Sequence, residues 1–99
     1  MSENYATEVS RHRRLAILRH LEASPEYVGN ASILQSVLVR LGLPLTYDEV
    51  ITELVWLKEQ GLVTLEGDAF VVATASRRGV EVAQGLASHP GIQRPRPRF

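Results

Sequence analysis

One segment, residues 46–70, constrains the fold of this chain more than any other, because it encodes a helix, a stop and a hairpin in succession. Thr46, followed by Glu49 three residues later, matches the capping box that starts a helix. Gly61 is expected to end that helix. Two β-prone runs then flank Gly67-Asp68, a pair that suits a two-residue hairpin turn. The apolar stripe of the helix, at helical spacing, consists of Tyr47, Val50, Ile51, Leu54 and Leu57.

Three further helices are predicted from apolar spacing and from the residues that start or stop helices. The first runs over residues 7–23 and ends before Pro25, because the residue that precedes a proline avoids the helical region. The second is capped by Asn30 or Ser32 and is ended by a glycine. The last helix runs over residues 76–86. The buried face of the second helix is expected to hold Ile33, Leu34, Val37, Leu38 and Leu41.

The predicted order is helix, helix, helix, strand, strand, helix, which is a mostly helical α+β fold with a small β-hairpin. The 99 residues suffice for one compact domain, which we expect to span residues 8–87. Residues 1–7 are expected to form a flexible N-terminus, and residues 26–29 a connector. Residues 88–99 combine arginine with proline and cannot form a regular helix, so we expect an extended basic tail.

Composition excludes several classes of function. The chain has no cysteine, which rules out disulfides, thiolate metal sites and cysteine catalysis. It offers no glycine-rich phosphate loop, no Ser/His/Asp arrangement and no paired catalytic carboxylates, so we expect neither an enzyme nor a cofactor or metal. No apolar run is long enough to span a membrane, and the N-terminus lacks the apolar core of a signal peptide. A soluble, cytoplasmic protein without a membrane partner is expected.

Charge is distributed unevenly along the chain, although 11 basic and 11 acidic residues balance. The central part, residues 25–75, holds two basic and seven acidic residues, whereas residues 76–99 hold five arginines and one acidic residue. A zero net charge predicts no overall attraction for nucleic acid. The asymmetry between acidic centre and basic ends suits either head-to-tail docking of dimers or neighbours, or basic ends that act as arms for a polyanion.

The segment ELVWLKEQGLVTLE resembles winged helix-turn-helix regulators, through Leu54 and Leu57, Gly61 and the apolar pair Leu62-Val63. The later Thr74–Gly79 segment resembles the start of the final helix in such domains. More narrowly, the chain is similar to small winged-helix proteins of Mu-like phages and prophages, often labelled arsenic-repressor-type regulators. The resemblance rests on RRLAILRHLEASPEY near the N-terminus, TELVWLKEQGLVTLE in the centre and PGIQRPRPR near the C-terminus.

This resemblance implies a phage or prophage origin and a winged helix, in which the helix over residues 46–60 is the recognition helix and the hairpin is the wing. It also implies a homodimer, since the first and last helices of this architecture commonly pair two subunits. Metal-sensing members of the arsenic-repressor family use cysteine pairs, or histidine with acidic ligands in the last helix. This chain lacks the cysteines, and metal sensing is not expected.

The sequence is compatible with two functions. A transcriptional regulator would present the recognition helix to double-stranded DNA, with Thr52, Trp56 and Gln60 near the groove. Its phosphate contacts would come from Arg77, Arg78, Arg94, Arg96 and Arg98. The alternative is a protein-interaction module, since the helix is acidic and the hairpin tip is acidic too. Its patch for another phage protein would comprise Asp48, Glu49, Glu53 and Trp56. Trp56 itself either anchors such a contact or folds back over Val63 or Val72.

Overall fold

A computed structural model of the chain describes residues 5–96, over which it forms four α-helices and a small antiparallel sheet. The predicted α+β class is confirmed at this level. Arg98 lies outside the described residues, as do residues 1–4 of the predicted N-terminus, and the predicted domain limits at residues 8 and 87 stay predictions. The helices are α1 (Tyr5–Glu22), α2 (Ala31–Arg40), α3 (Tyr47–Glu59) and α4 (Arg77–Gln84). The strands are β1 (Val28–Asn30), β2 (Val63–Glu66) and β3 (Val72–Ala75), and Pro25–Tyr27 form a single 3-10 turn before β1.

The sheet has the order β1-β3-β2, with both pairings antiparallel. Val28 is opposite Thr74, and Val63 is opposite Ala75. The prediction of a connector over residues 26–29 was therefore wrong, because that segment contributes most of β1. Three residues are too few for an alternating pattern to be recognised, and β1 forms only because β3 offers it an unpaired edge.

The hairpin between β2 and β3 is longer than predicted. Glu66 pairs with Val72, so a loop of residues 67–71 replaces the expected two-residue turn. Phenylalanine is common in strands, yet Phe70 lies in the loop and is 78% exposed. Gly67 has a left-handed φ of 94°, and a Cβ there would collide with the Phe70 carbonyl oxygen. Gly67 therefore permits the tight bend that brings residue 70 back against residue 67.

The predicted signals at the ends of α2 and α3 are confirmed by hydrogen bonds. The Thr46 N–H donates to Oε1 of Glu49 (2.9 Å), and the Glu49 N–H donates to Oγ1 of Thr46 (3.1 Å). Gly61 ends α3 with a φ of 76°, which an L side chain rarely adopts. Asn30, rather than Ser32, caps α2 by accepting from two backbone N–H groups.

The core lies between the helices and the sheet, and all four helices contribute to it. Leu18, Leu54 and Leu62 are among its fully buried side chains. Two residues predicted for the buried face of α2 lie outside the core, since Ile33 is 55% and Leu41 58% exposed. Leu41 follows the last helical residue, so the helical period no longer sets its direction. Ile33 lies about 100° around the helix from the buried Leu34.

The contact of α4 with the β2 end of the core depends on Gly79. A Cβ built there would lie 2.2 Å from the Leu62 carbonyl oxygen, a distance that requires the backbone to move. We expect Gly79→Ala to lower the free energy of unfolding by about 2 kcal/mol, as overpacking in a core does. Urea unfolding checks this against Arg77→Ala, an exposed position on the same helix. A loss no larger than that of the Arg77 variant would contradict the close approach.

Candidate nucleic-acid interface

The segment that follows α4 turns back across α1 and α3. It has no regular secondary structure, as predicted, but residues 88–93 are not a free tail. Ile92 is only 3% exposed and belongs to the core. The Gln93 N–H donates to the Arg11 carbonyl oxygen (3.2 Å), and a Cβ on Gly91 would lie 2.7 Å from the Trp56 ring. We call residues 88–93 the strap.

Trp56 lies under the strap and is half-buried. The Arg14 guanidinium carbon lies 3.8 Å from the centroid of the Trp56 ring, a cation–π contact. The His89 ring meets the same indole edge-on, with centroids 5.1 Å apart. Arg14 and the strap therefore cover Trp56, a position that neither interpretation of this residue considered. Trp56 projects from the side of α3 that faces Arg14 of α1. A helical wheel drawn for α3 alone places this side in solvent.

Arg14 and Glu53 form a shielded ion pair beside Trp56. Nε of Arg14 donates to Oε1 of Glu53 (2.7 Å), with side chains that are 18% and 8% exposed respectively. Nη1 of Arg14 also donates to the Gly91 carbonyl oxygen (3.1 Å), which ties α1 to the strap. The Glu53 carboxylate is thus bonded to Arg14 and almost fully buried, whereas Asp48 is exposed. Nothing in the residues around Arg14 indicates this role, since an arginine-rich helix suits a solvated face.

The predicted base-reading side chains are largely engaged within the chain. Oγ1 of Thr52 donates to the Asp48 carbonyl oxygen (3.0 Å), one turn earlier in α3. Oε1 of Gln60 bonds to Nε2 of His89 (2.9 Å), and Trp56 is covered as described. The carboxylate of Glu49 is held by the capping box. The exposed face of α3 also carries Asp48, Val55, Lys58 and Glu59, of which Lys58 is the one basic residue.

Three arginines surround a groove between α1, α4 and the residues that follow the strap. The groove has a volume of about 470 Å³ and is lined by Arg19, Arg94 and Arg96, together with Glu22 and Gln84. We call it the arginine groove. Within residues 5–96, none of the three arginines forms an ion pair. Glu22 is its one lining carboxylate among the residues described, and Nε2 of Gln84 donates to it at 3.4 Å.

Pro95 holds the two C-terminal arginines at the groove. A Cβ on Gly85 would lie 3.2 Å from Cγ of Pro95, so Pro95 packs directly on the end of α4. Gly85 itself has a left-handed φ of 82° and ends α4 there. Arg94 and Arg96, on either side of Pro95, are thereby placed beside Arg19 of the last turn of α1. Three guanidinium groups around one groove suit phosphate oxygens.

The other two predicted phosphate contacts, Arg77 and Arg78, lie elsewhere. They begin α4, whereas the arginine groove is at its end, about 10 Å further along the helix. Nε of Arg77 is 3.8 Å from Oε2 of Glu81, and the Arg77 side chain is 94% exposed. The structure therefore brings Arg94 and Arg96 together with Arg19, which was not among the predicted phosphate contacts, and leaves Arg77 and Arg78 apart.

The pKa of His89 lies below its ordinary value of 6.5, because burial disfavours the charged ring and because Arg78 and Arg14 are nearby. Between the folded and unfolded pKa values the unfolded chain binds more protons, so stability rises with pH through that window. We expect the His89 contribution to be complete above pH 6.5 and to be lost as the pH falls through the folded pKa. The melting temperature should rise with pH across this range, and His89→Gln should reduce that dependence. An equal pH dependence of the melting temperature in both proteins would contradict the lowered pKa of His89.

Comparison with known proteins gives two relatives. The chain is 46% identical over 88 residues to the uncharacterized protein gp26 of Escherichia phage Mu, which covers 87% of this chain and 90% of that protein. It is 38% identical over 72 residues to an uncharacterized protein of Haemophilus influenzae, covering 71% of this chain and 70% of that protein. No family model matches the chain. No solved structure matches it either. None of the helices within residues 5–96 combines the length and the hydrophobicity that a membrane span requires.

Proposed function

This chain belongs to the family of gp26 of Escherichia phage Mu, and we propose that it is a winged-helix DNA-binding regulator that holds DNA by its phosphates. The observation that carries the proposal is the arginine groove, with three guanidinium groups that have no ion-pair partner among residues 5–96. Phosphate contacts supply most of the affinity of non-specific DNA binding. On this proposal the groove provides affinity and α3 does not read bases.

What supports the winged-helix interpretation is the succession of elements. Two helices, α2 and α3, are joined by a short turn, and the β2–β3 hairpin follows α3 in the position of a wing. The strand β1 adds a third strand at the far side of β3. A regulatory role follows from this architecture by analogy alone. The homodimer also stays a prediction, which light scattering on the purified protein can check.

The face that a winged helix usually presents to DNA argues against base readout here. On α3, Asp48 and Glu59 are exposed together with Val55, which is 40% exposed. On the hairpin loop, Glu66 and Asp68 are exposed beside Phe70. Carboxylates repel the phosphate backbone that a recognition helix must approach. The phosphate contacts are therefore assigned to the arginine groove.

A salt titration tests the proposal. Binding of a fluorescent duplex of mixed sequence is measured by anisotropy between about 50 and 200 mM salt. Three phosphate contacts predict a slope of about −2.7 in log affinity against log salt concentration. A variant with Thr52→Ala and Val55→Ala on α3 should bind with unchanged affinity, because these side chains touch no DNA on this account. Absence of binding at the lowest salt concentration would overturn the proposal.

A second candidate function is a protein-interaction module, favoured by the same acidic and apolar face of α3 and the hairpin. Val55 and Phe70 would supply apolar contact area, and the carboxylates of Asp48, Glu59 and Asp68 would select a basic partner. The patch differs from the predicted one, since Glu53 and Trp56 are turned inward. The salt titration distinguishes the two functions, because a protein-interaction module is not expected to bind DNA.

A further inference from the structure

His89 contacts α3 through Trp56 and Gln60, and it also forms a hydrogen bond within the strap. The Gly91 N–H donates to Nδ1 of His89 (2.9 Å), so Nδ1 is the unprotonated ring nitrogen. Nε2 lies 2.9 Å from Oε1 of Gln60, an amide oxygen that accepts a hydrogen bond. Both bonds are satisfied together only by the neutral imidazole that carries its proton on Nε2. The docked strap is thus specific for one protonation state.

Protonation would oppose this arrangement in two ways. A proton on Nδ1 would face the Gly91 N–H, so a donor would meet a donor. The positive ring would also face cations from α1, from α4 and from the chain that follows the strap. These are Arg11 and Arg14 on α1, Arg78 on α4 and Arg94 in the chain that follows the strap. Arg14 is paired with Glu53 on α3 and Arg11 with Glu8 on α1, and among the arginines Arg78 opposes the charged ring most.

We propose that the strap is a pH-sensitive latch: neutral His89 docks it on Trp56, and protonation of His89 releases it. Arg94 directly follows the strap, so after release only the packing of Pro95 against Gly85 still holds Arg94 and Arg96 beside Arg19. The latch itself stands on the contacts of His89. Its consequence for DNA rests on the proposed function, in which the arginine groove binds phosphate.

The single tryptophan of the chain makes the latch measurable without DNA. Emission of Trp56 is recorded between about pH 8 and pH 5, with circular dichroism showing that the helices persist. We expect one transition with its midpoint below pH 6.5, accompanied by a red shift as the indole meets water. His89→Gln should abolish the transition, whereas His12→Gln, at an exposed position of α1, should keep it.

Nuclear magnetic resonance of the unaltered protein keeps the test independent of how the variants fold. The Cε1 proton of His89 and the backbone amides of Gly91 and Arg94 should titrate together, because one event moves all three groups. Emission that stays constant over the pH range, or a His89 titration that leaves the Gly91 amide unmoved, would overturn the latch.

Measuring DNA binding as a function of pH distinguishes failure of the latch from failure of the proposed function. On acidification, duplex affinity of the unaltered protein should fall about threefold relative to that of His89→Gln, measured at constant salt. An emission transition without any salt-sensitive DNA binding would refute the proposed function and leave the latch standing. DNA binding with the expected salt slope, but without an emission transition, would refute the latch alone.

Discussion

Replacing Arg14 by methionine should lower the free energy of unfolding by about 3 kcal/mol or more, because it leaves the carboxylate of Glu53 buried without a partner. The substitution also removes the stacking on Trp56 and the hydrogen bond to the Gly91 carbonyl oxygen. Urea unfolding followed by circular dichroism measures the loss. Arg40→Met, at an exposed position in the last turn of α2, is the matched control and should change stability by less than about 0.5 kcal/mol.

A double-mutant cycle shows whether the pair acts as a unit. Glu53→Met alone should also destabilise strongly, since it strands the Arg14 guanidinium. The double variant should lose clearly less than the sum of the two single losses, because no unpaired charge remains in the core. Additive losses would contradict the buried pair. If Arg14→Met lowered the free energy of unfolding by less than about 1 kcal/mol, the pair would contribute no more than an ordinary surface ion pair.

Removing the three charges of the arginine groove should weaken duplex binding on the order of thirtyfold. The estimate takes about 0.7 kcal/mol for each exposed phosphate contact, or about 2 kcal/mol for the three. The variant carries Arg19→Gln, Arg94→Gln and Arg96→Gln, and its affinity is measured by anisotropy at low salt. The result tests the groove only if net charge is held equal in a control.

The matched control removes three arginines that lie outside the groove, with Arg40→Gln, Arg77→Gln and Arg78→Gln. It has the same net charge as the groove variant, so long-range attraction is equally reduced. We expect its affinity to fall less than about threefold, since screening weakens charges that touch no phosphate. Equal losses in the two variants would show that total charge, rather than the groove, determines binding.

The parts of the fold that the sequence predicted are those determined by neighbouring residues. The capping box of Thr46 and Glu49 and the stop at Gly61 each depend on a few successive positions. Strand β1 and the loop over residues 67–71 were missed, because both depend on how β3 pairs with its two neighbours. A three-residue strand has no pattern of its own to recognise.

The candidate site was beyond sequence reasoning for a similar reason. Arg14 bonds to Glu53 across 39 positions of the chain and to Gly91 across 77. Nothing local marks such partners, and an apolar stripe on α3 cannot show that a later segment covers Trp56. The arginines of the C-terminal segment were recognised from composition. Their neighbour Arg19 was missed, because only the return of the chain across α1 brings it to them.

Backbone amide shifts during titration with a short duplex test the central claim most directly, because they locate DNA on the protein surface. At low salt concentration we expect the largest changes at Arg19, Gln84, Arg94 and Arg96, around the arginine groove. Amides of the exposed α3 face, from Asp48 to Glu59, should move little. Changes concentrated on α3 and the hairpin loop, with the groove unmoved, would contradict the account.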